Sequence, residues 1–228
     1  MESNLTNIPL PLTLGLDPTT NELISIDLGK CGNILLAGAT KQGKSHWIHN
    51  MISQMNALPT PPEMILFDPK RCEFGRYKDR YRVIEELEDA KHVLFEELFE
   101  NEIIGKRWSS DKDRSPLVII IDELLDLIFM HKSKSSKYVS DRNRYEAIIK
   151  ILDIGPELNI FTIISTKSTD KDILTKKLLE NCRTRIAFRT INHQDSKLII
   201  KKSGAEDLLG RVEAILYQEG KCRKIQCP

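Results

Sequence analysis

The sequence predicts an α/β fold with a mainly parallel central sheet and helices on both faces. Apolar runs of strand length recur along the chain, helical patterns of apolar residues separate them, and several runs are continuous in Val, Ile and Leu. Continuous apolar runs are typical of strands that are covered on both faces, as in a parallel sheet. Their alternation with helices indicates successive β–α units.

The predicted elements follow this alternation from end to end. Seven runs are predicted as strands, at residues 23–27, 33–37, 64–68, 117–122, 160–165, 184–189 and 212–217. Helical patterns follow Lys44, Asn143, Asp170 and Gln194, and a further helix is predicted at 87–98. Three prolines within 58–62 predict a loop, and the polar, basic stretch 131–140 predicts a mobile one.

Length and composition favour one globular domain over residues 1–228. The chain is 40% hydrophobic and 29% charged, with 34 Lys and Arg against 33 Asp and Glu. This balance excludes nucleic-acid binding by bulk charge but leaves room for a local basic patch. Five scattered cysteines without a C-x-x-C pair argue against a zinc site. No secretion signal or membrane-spanning run is visible, so we expect a cytoplasmic protein.

Residues 38–45 match the phosphate-binding pattern G-x-x-x-x-G-K-[ST]. A predicted strand precedes them and a predicted helix begins near Lys44, which is the context that this motif requires. Backbone amides of such a loop point at phosphate oxygens, Lys44 would neutralise phosphate charge, and the Ser45 hydroxyl would bind Mg²⁺. The predicted nucleotide-binding residues are Gly38, Ala39, Thr40, Lys41, Gln42, Gly43, Lys44, Ser45 and His46. The alternative is a glycine-rich turn with an exposed lysine.

Two acidic residues, Asp122 and Glu123, follow the apolar strand that begins at residue 117. Carboxylates at the carboxyl end of a parallel strand lie where α/β sheets bind ligands. Asp122 is predicted to bind Mg²⁺, and Glu123 to orient or deprotonate an attacking water. Thr166, at the end of another strand, would contact the γ-phosphate or this water. The alternatives are an ordinary helix start for the acidic pair and a turn cap for Thr166. At Asp68-Pro69-Lys70, a turn is at least as good an explanation as nucleotide contact.

These residues resemble the motor domain of FtsK/SpoIIIE-type DNA translocases, in the FtsK–HerA group of RecA-like ATPases. The resemblance runs from about residue 9 to residue 219. Its landmarks, in family order, are Leu14-Gly15-Leu16-Asp17, residues 36–45, Asp68-Pro69-Lys70, Ile121-Asp122-Glu123-Leu124, residues 184–189, Asp195-Ser196 and residues 204–210. The resemblance implies a RecA-like P-loop NTPase fold, ATP and Mg²⁺ as cofactors, and a hexameric ring of identical subunits around double-stranded DNA.

The chain departs from the family pattern at several positions, which indicates a divergent member such as one from a plasmid, phage or conjugative element. Lys167 replaces the sensor glutamine of A-T-Q-R-P. Pro156 lies in a segment that usually carries an arginine, and Glu213 lies in the late G-D-M-L segment. Lys41-Gln42 occupies phosphate-loop positions that are usually Gly-Ser.

The resemblance implies an ATP-dependent motor that moves double-stranded DNA. Two other functions stay open: a conjugation or secretion coupling ATPase with protein or nucleoprotein cargo, and an ATP-binding replication or assembly factor with little turnover. The chain shows no membrane segment, so membrane or mobile-element proteins are considered only as possible partners. An ATPase assay with and without duplex DNA separates the three functions.

Basic residues suggest where DNA and a neighbouring subunit would make contact. Arg185 and Arg189 are candidates for an arginine that acts on the neighbouring subunit's nucleotide, the alternative being ion-pair partners at the sheet edge. The segment 131–144 has a surplus of positive charge and would contact DNA phosphates, the alternative being a solvated loop. Its predicted contact residues are Lys132, Lys134, Lys137, Arg142 and Arg144.

Overall fold

Strands and helices alternate through the computed structural model, which describes residues 9–94, 98, 115–129, 142–167 and 169–226. The strands are β1 Pro11–Leu16, β2 Leu23–Asp27, β3 Ile34–Ala37, β4 Glu63–Phe67, β5 Arg82–Ile84, β6 Leu117–Ile121, β7 Ile160–Thr166, β8 Thr184–Ala187, β9 Glu213–Gln218 and β10 Lys221–Gln226. The helices are α1 Leu28–Cys31, α2 Lys44–Asn56, α3 Leu87–His92, α4 Leu124–Phe129, α5 Arg142–Ile154, α6 Lys176–Asn181 and α7 His193–Ile200. Among the described helices, none is long and apolar enough to cross a bilayer.

The described strands form a single sheet in the order β2-β1-β10-β9-β8-β3-β7-β6-β4-β5. The strands from β8 to β5 are parallel, whereas β9, β10, β1 and β2 form an antiparallel extension on one side. The prediction of a mainly parallel sheet is therefore confirmed. Strands β1, β5 and β10 were not predicted, since β5 has three residues, β1 contains a proline and a glycine, and β10 is mostly polar.

Helices cover both faces of the sheet, as predicted. Along β3, Leu35 and Ala37 pack on one side while Ile34 and Leu36 pack on the other. Apolar residues of α2 join the second cluster, and those of α4, α5, α6 and α7 join the first. Every residue of β3, β6 and β7 is buried, which explains why β3 and β6 are apolar throughout and why β7 is mostly apolar.

The parallel register brings several strand ends to one edge of the sheet. Ala37 at the end of β3 pairs with Thr166 at the end of β7, and Phe67 of β4 pairs with Ile121 of β6. The residues that follow these strands therefore meet at the same edge, although more than a hundred positions separate the first from the last. This edge therefore carries the phosphate-loop motif, the loop after β4, the acidic pair and Lys167.

Candidate functional site: a cavity at the carboxyl ends of the parallel strands

The phosphate-loop motif joins β3 to α2, the context that its pattern requires. Two glycines make the turn possible, with φ of 151° at Gly38 and 101° at Gly43. A Cβ atom on Gly38 would lie 2.8 Å from Cβ of Phe188 and 2.9 Å from the Phe188 carbonyl oxygen, so a side chain does not fit. Lys41 also has a left-handed backbone, with φ of 64°, at a position where glycine would adopt this conformation at little cost.

Lys44, the first residue of α2, is folded back into this loop. Its side chain is buried, and Nζ donates hydrogen bonds to the carbonyl oxygens of Gly38, at 2.7 Å, and Ala39, at 2.8 Å. Burial lowers the pKa of Lys44 to about 8, while the nearby carboxylates of Glu123 and Asp122 act in the opposite direction. Phosphate oxygens that enter the loop would compete with these carbonyls for the ammonium group.

A cavity of about 620 Å³ opens beside the loop. Six of the nine residues predicted to bind nucleotide line it, namely Thr40, Lys41, Gly43, Lys44, Ser45 and His46. Asp122 and Glu123 line the same cavity. Gly38 and Ala39 contribute the carbonyls that Lys44 contacts, whereas Gln42 lines a neighbouring cavity. The structure therefore brings the two predicted motifs together.

Asp122 and Ser45 offer oxygen atoms that suit Mg²⁺. Both residues line the cavity, and the Asp122 side chain is buried. The pKa of Asp122 is raised to about 6, first by burial and next by the charge of Glu73, while Lys70 acts in the opposite direction. A buried carboxylate beside a hydroxyl is a donor set for a hard cation that keeps most of its waters. These residues fit a magnesium ion bound together with nucleotide phosphates.

Glu123 lies at the same edge but is held by its neighbours. Its carboxylate accepts hydrogen bonds from the Thr166 hydroxyl, at 3.2 Å, and from the Lys167 backbone N–H, at 3.1 and 3.2 Å. The side chain is buried, and the backbone φ of 65° lies in the left-handed region. The acidic pair Asp122 and Glu123 and the separately predicted Thr166 thus lie at one site.

The loop after β4 adds Lys70, for which the sequence left nucleotide contact open beside a turn, and Glu73, which the sequence reasoning did not single out. The buried Asp68 carboxylate accepts from the backbone N–H groups of Cys72, Glu73 and Phe74, so Asp68 shapes the turn. Lys70 and Glu73 line the cavity as a result. The sequence feature that could have indicated Lys70 and Glu73 is their position in the loop that follows a buried strand of the same sheet.

A second cavity, of about 460 Å³, lies on the other side of the phosphate loop. It is lined by Gln42, Arg189 and Arg211 among others, and Arg189 is exposed. The Arg211 guanidinium donates to the Lys41 carbonyl at 3.3 Å, so the segment before β9 packs on the phosphate loop. Arg211 was missed because nothing in its local pattern points to a residue 170 positions away.

Two predicted arginines lie in the interior instead. Arg185 donates to the backbone carbonyls of Cys182, Leu179 and Ile199, and its guanidinium lies over the ring of Tyr217. These contacts hold the side chain beneath β8, and it lines neither cavity. This placement argues against a role for Arg185 on a neighbouring subunit's nucleotide.

Arg144 is also buried, and its guanidinium donates to the Leu127 carbonyl at 3.1 Å. This burial argues against contact with DNA by Arg144. The other predicted DNA contacts, Lys132, Lys134, Lys137 and the Arg142 side chain, lie outside the described residues, as does the 131–140 loop.

Comparison with known proteins shows to which family the chain is similar. Residues 2–95 match the model of the FtsK/SpoIIIE family. The chain is 30% identical to DNA translocase FtsK of Lactiplantibacillus plantarum over 240 residues, which cover 92% of this chain and 29% of that protein. The similarity to members of the FtsK/SpoIIIE family thus extends over most of the chain. DNA translocase SftA of Bacillus subtilis is also similar, with 30% identity over 242 residues, 96% of this chain and 24% of that protein. The chain thus spans less than a third of either relative.

The likeness extends to solved structures. The pCW3 conjugation coupling protein TcpA, in its monomer form with ATPγS, superposes with a TM-score of 0.73 at 21% identity. The match covers 95% of this chain and 65% of that chain. The chain has the predicted RecA-like P-loop ATPase fold, and its identity of about 30% to the curated relatives agrees with a divergent relative of the family.

Proposed function

We propose that this chain is an ATP-dependent motor that moves double-stranded DNA, acting as a hexameric ring of identical subunits. The observation that carries the proposal is the meeting of Lys44, Asp122 and Glu123 in one cavity at the carboxyl ends of β3 and β6. The similarity to proteins named DNA translocases supports DNA as the cargo.

Each of these residues would have a different role in ATP hydrolysis. The loop amides and Lys44 would bind the β- and γ-phosphates, with Lys44 exchanging the Gly38 and Ala39 carbonyls for phosphate oxygens. Ser45 and Asp122 would hold Mg²⁺, which supplies charge neutralisation at the phosphates. Glu123 would orient a water in line with the bond to the leaving ADP and accept its proton as the new P–O bond forms.

Arg189 is the candidate for an arginine that completes a neighbouring subunit's site. Its exposed side chain lies beside the phosphate loop, where a second subunit could bind. In mixed rings, Arg189→Ala subunits should lower the ATPase activity of wild-type subunits by more than their share of the ring. Arg183→Ala, at another exposed arginine, is the control, and its subunits should lower the activity only in proportion to their share. Strictly proportional loss with Arg189→Ala would contradict a role across the interface.

DNA would be bound through phosphate contacts by Lys132, Lys134, Lys137 and Arg142. Such contacts are independent of sequence and weaken as salt rises. Replacing the three lysines by glutamine should lower DNA affinity and flatten its dependence on salt concentration, measured by fluorescence anisotropy of labelled duplexes. Replacing Lys176, Lys177 and Lys171 in the same way is the matched control. Unchanged affinity and salt slope in the first variant would exclude this contact.

The experiment that tests the function is steady-state ATP hydrolysis with and without duplex DNA. We expect DNA to stimulate hydrolysis, and Lys44→Ala and Glu123→Gln to abolish it for different reasons, the first by losing phosphate binding and the second by losing water activation. A rate of hydrolysis that duplex DNA does not change would contradict the motor and favour a coupling ATPase with protein cargo. Tight ATP binding without turnover would favour an assembly factor.

A further inference from the structure

Two lysines and two carboxylates form a charged cluster, and three of these four residues line the cavity. The Lys70 ammonium lies 2.8 Å from Asp126 and 3.9 Å from Glu123, and the Lys167 ammonium lies 3.5 and 3.8 Å from the same two carboxylates. We call these four residues the lysine–carboxylate cluster. It links the loop after β4, helix α4 and the end of β7 around the residue proposed to activate water.

Glu123 is fully engaged in this arrangement. Both carboxylate oxygens accept the Lys167 backbone N–H, one also accepts the Thr166 hydroxyl, and the other faces the two ammonium groups. The left-handed backbone at Glu123 is a conformation that ordinary residues keep only when surrounding contacts compensate its cost. A carboxylate held in this way has to give up part of these contacts before it can receive a proton from water.

The two lysines differ from Glu123 in exposure. Their side chains are 39% and 34% exposed at Lys70 and Lys167, against 5% at Glu123, and both line the cavity. The contacts of Lys167 are also loose, since 3.5 and 3.8 Å exceed the ordinary length of a charged hydrogen bond. An anion in the cavity can therefore reach the Lys167 ammonium group without disturbing the core.

We propose that Lys167, supported by Lys70, is a latch that senses the γ-phosphate. Without a triphosphate, Lys167 pairs with Glu123 and Asp126 and keeps Glu123 on Thr166. A γ-phosphate carries more negative charge than either carboxylate and draws the Lys167 ammonium group to itself, which frees Glu123 for the attacking water. A diphosphate does not reach the latch. The inference rests on the proposed function, because it assumes that the phosphates of ATP occupy this cavity.

The first test compares triphosphate and diphosphate binding by calorimetry with Mg²⁺ present. Lys167→Met should weaken ATPγS binding roughly tenfold or more, as expected for loss of a charged hydrogen bond, and leave ADP binding within about twofold. Lys167→Arg should restore much of the loss. Lys176→Met is the matched control, because Lys176 is 90% exposed and pairs only weakly with Glu180. Equal weakening of both nucleotides, or of neither, would overturn the latch.

The second test asks whether Lys167 and Glu123 act on each other. Glu123→Gln should tighten ATPγS binding in the wild-type background, since an uncharged amide no longer competes for the ammonium group. In the Lys167→Met background the same change should give a clearly smaller gain, because the competition is already absent. A gain of the same size in both backgrounds would contradict the latch.

These binding tests need neither hydrolysis nor DNA, so they separate the latch from the motor. Selective loss of ATPγS affinity in Lys167→Met, together with hydrolysis that ignores DNA, would support the latch and contradict the motor. Stimulation by DNA in the wild type, together with unchanged ATPγS affinity in Lys167→Met, would contradict the latch alone. Failure of the wild type to bind either nucleotide would contradict both.

Discussion

Substitution of the buried Arg185 tests whether this arginine stabilises the fold or acts on a neighbouring subunit's nucleotide. The side chain is 4% exposed, and its three guanidinium nitrogens donate to the carbonyls of Cys182, Ile199 and Leu179. The guanidinium carbon lies 4.9 Å from the centre of the Tyr217 ring. Arg185→Met keeps most of the stem and removes every hydrogen bond.

The expected loss of stability follows from these contacts. Three buried carbonyls lose their donors at about 1 kcal/mol each, and the contact with the Tyr217 ring contributes about 1 kcal/mol more. Part of this is offset, because burial lowers the pKa of Arg185 and so the charged form is itself costly to bury. We expect a net loss of about 3 kcal/mol in the free energy of unfolding, which for a chain of this size lowers Tm by roughly 10 °C.

The assay is thermal and urea unfolding of the chain without nucleotide. Arg183→Met is the matched control, since Arg183 is an exposed arginine two positions away, and its Tm should stay within about 2 °C of the wild type. Wild-type stability in Arg185→Met, combined with loss of DNA-stimulated hydrolysis, would refute this reasoning and restore Arg185 as a residue that acts on the neighbouring subunit.

Two further predictions concern the loop and the helix beside the cavity. Gly38→Ala should lower stability by about 2–4 kcal/mol and abolish ATPγS binding, because the added methyl group would meet Phe188 and the positive φ disfavours alanine. Because of His49, the free energy of unfolding should fall as the pH drops through about 6.5. Burial and the nearby charge of Arg76 lower the pKa of His49, and the hydrogen bond to Glu73 only partly opposes them. The unfolded chain then binds the proton more readily, so the loss appears on the acid side. His49→Phe should flatten this part of the profile of Tm against pH.

Each of these predictions has a control within the chain. Gly75→Ala should be nearly neutral, because nothing lies within 4 Å of a Cβ atom placed there. His193→Phe, at an exposed histidine, is the matched control for the substitution of His49. Equal losses in Gly38→Ala and Gly75→Ala would argue against the close approach to Phe188. An unchanged pH profile in His49→Phe would contradict a role for His49 in this loss of stability.

The parts of the fold that were predicted are those with a local chemical signal. Strands β3, β6 and β7 are buried on both faces and therefore consist of or contain continuous apolar runs, which makes them visible in the sequence. The phosphate loop needs glycine at two positive φ angles and a lysine at the start of α2, and this requirement leaves a pattern of fixed spacing. Strand β10 leaves no such signal, because most of its residues are exposed and charged or polar.

The parts of the site that were missed depend on register. Lys70 and Lys167 meet around Glu123 only because β4, β6 and β7 are adjacent and parallel, and neither lysine has a local pattern that predicts this contact. Arg185 looks from its sequence like an exposed residue at a strand end. The carbonyls that bury it come from α6, from the residue after α6 and from α7, which the strand pattern cannot reveal.

Displacement of a triplex-forming strand from duplex DNA tests the central claim most directly. A motor that moves along double-stranded DNA removes the third strand, and release of a fluorescent third strand reports this movement in real time. We expect release that requires ATP and Mg²⁺, that fails with ATPγS, and that is lost in Lys44→Ala and Glu123→Gln. DNA-stimulated hydrolysis by the wild type without any release of the third strand would contradict the account.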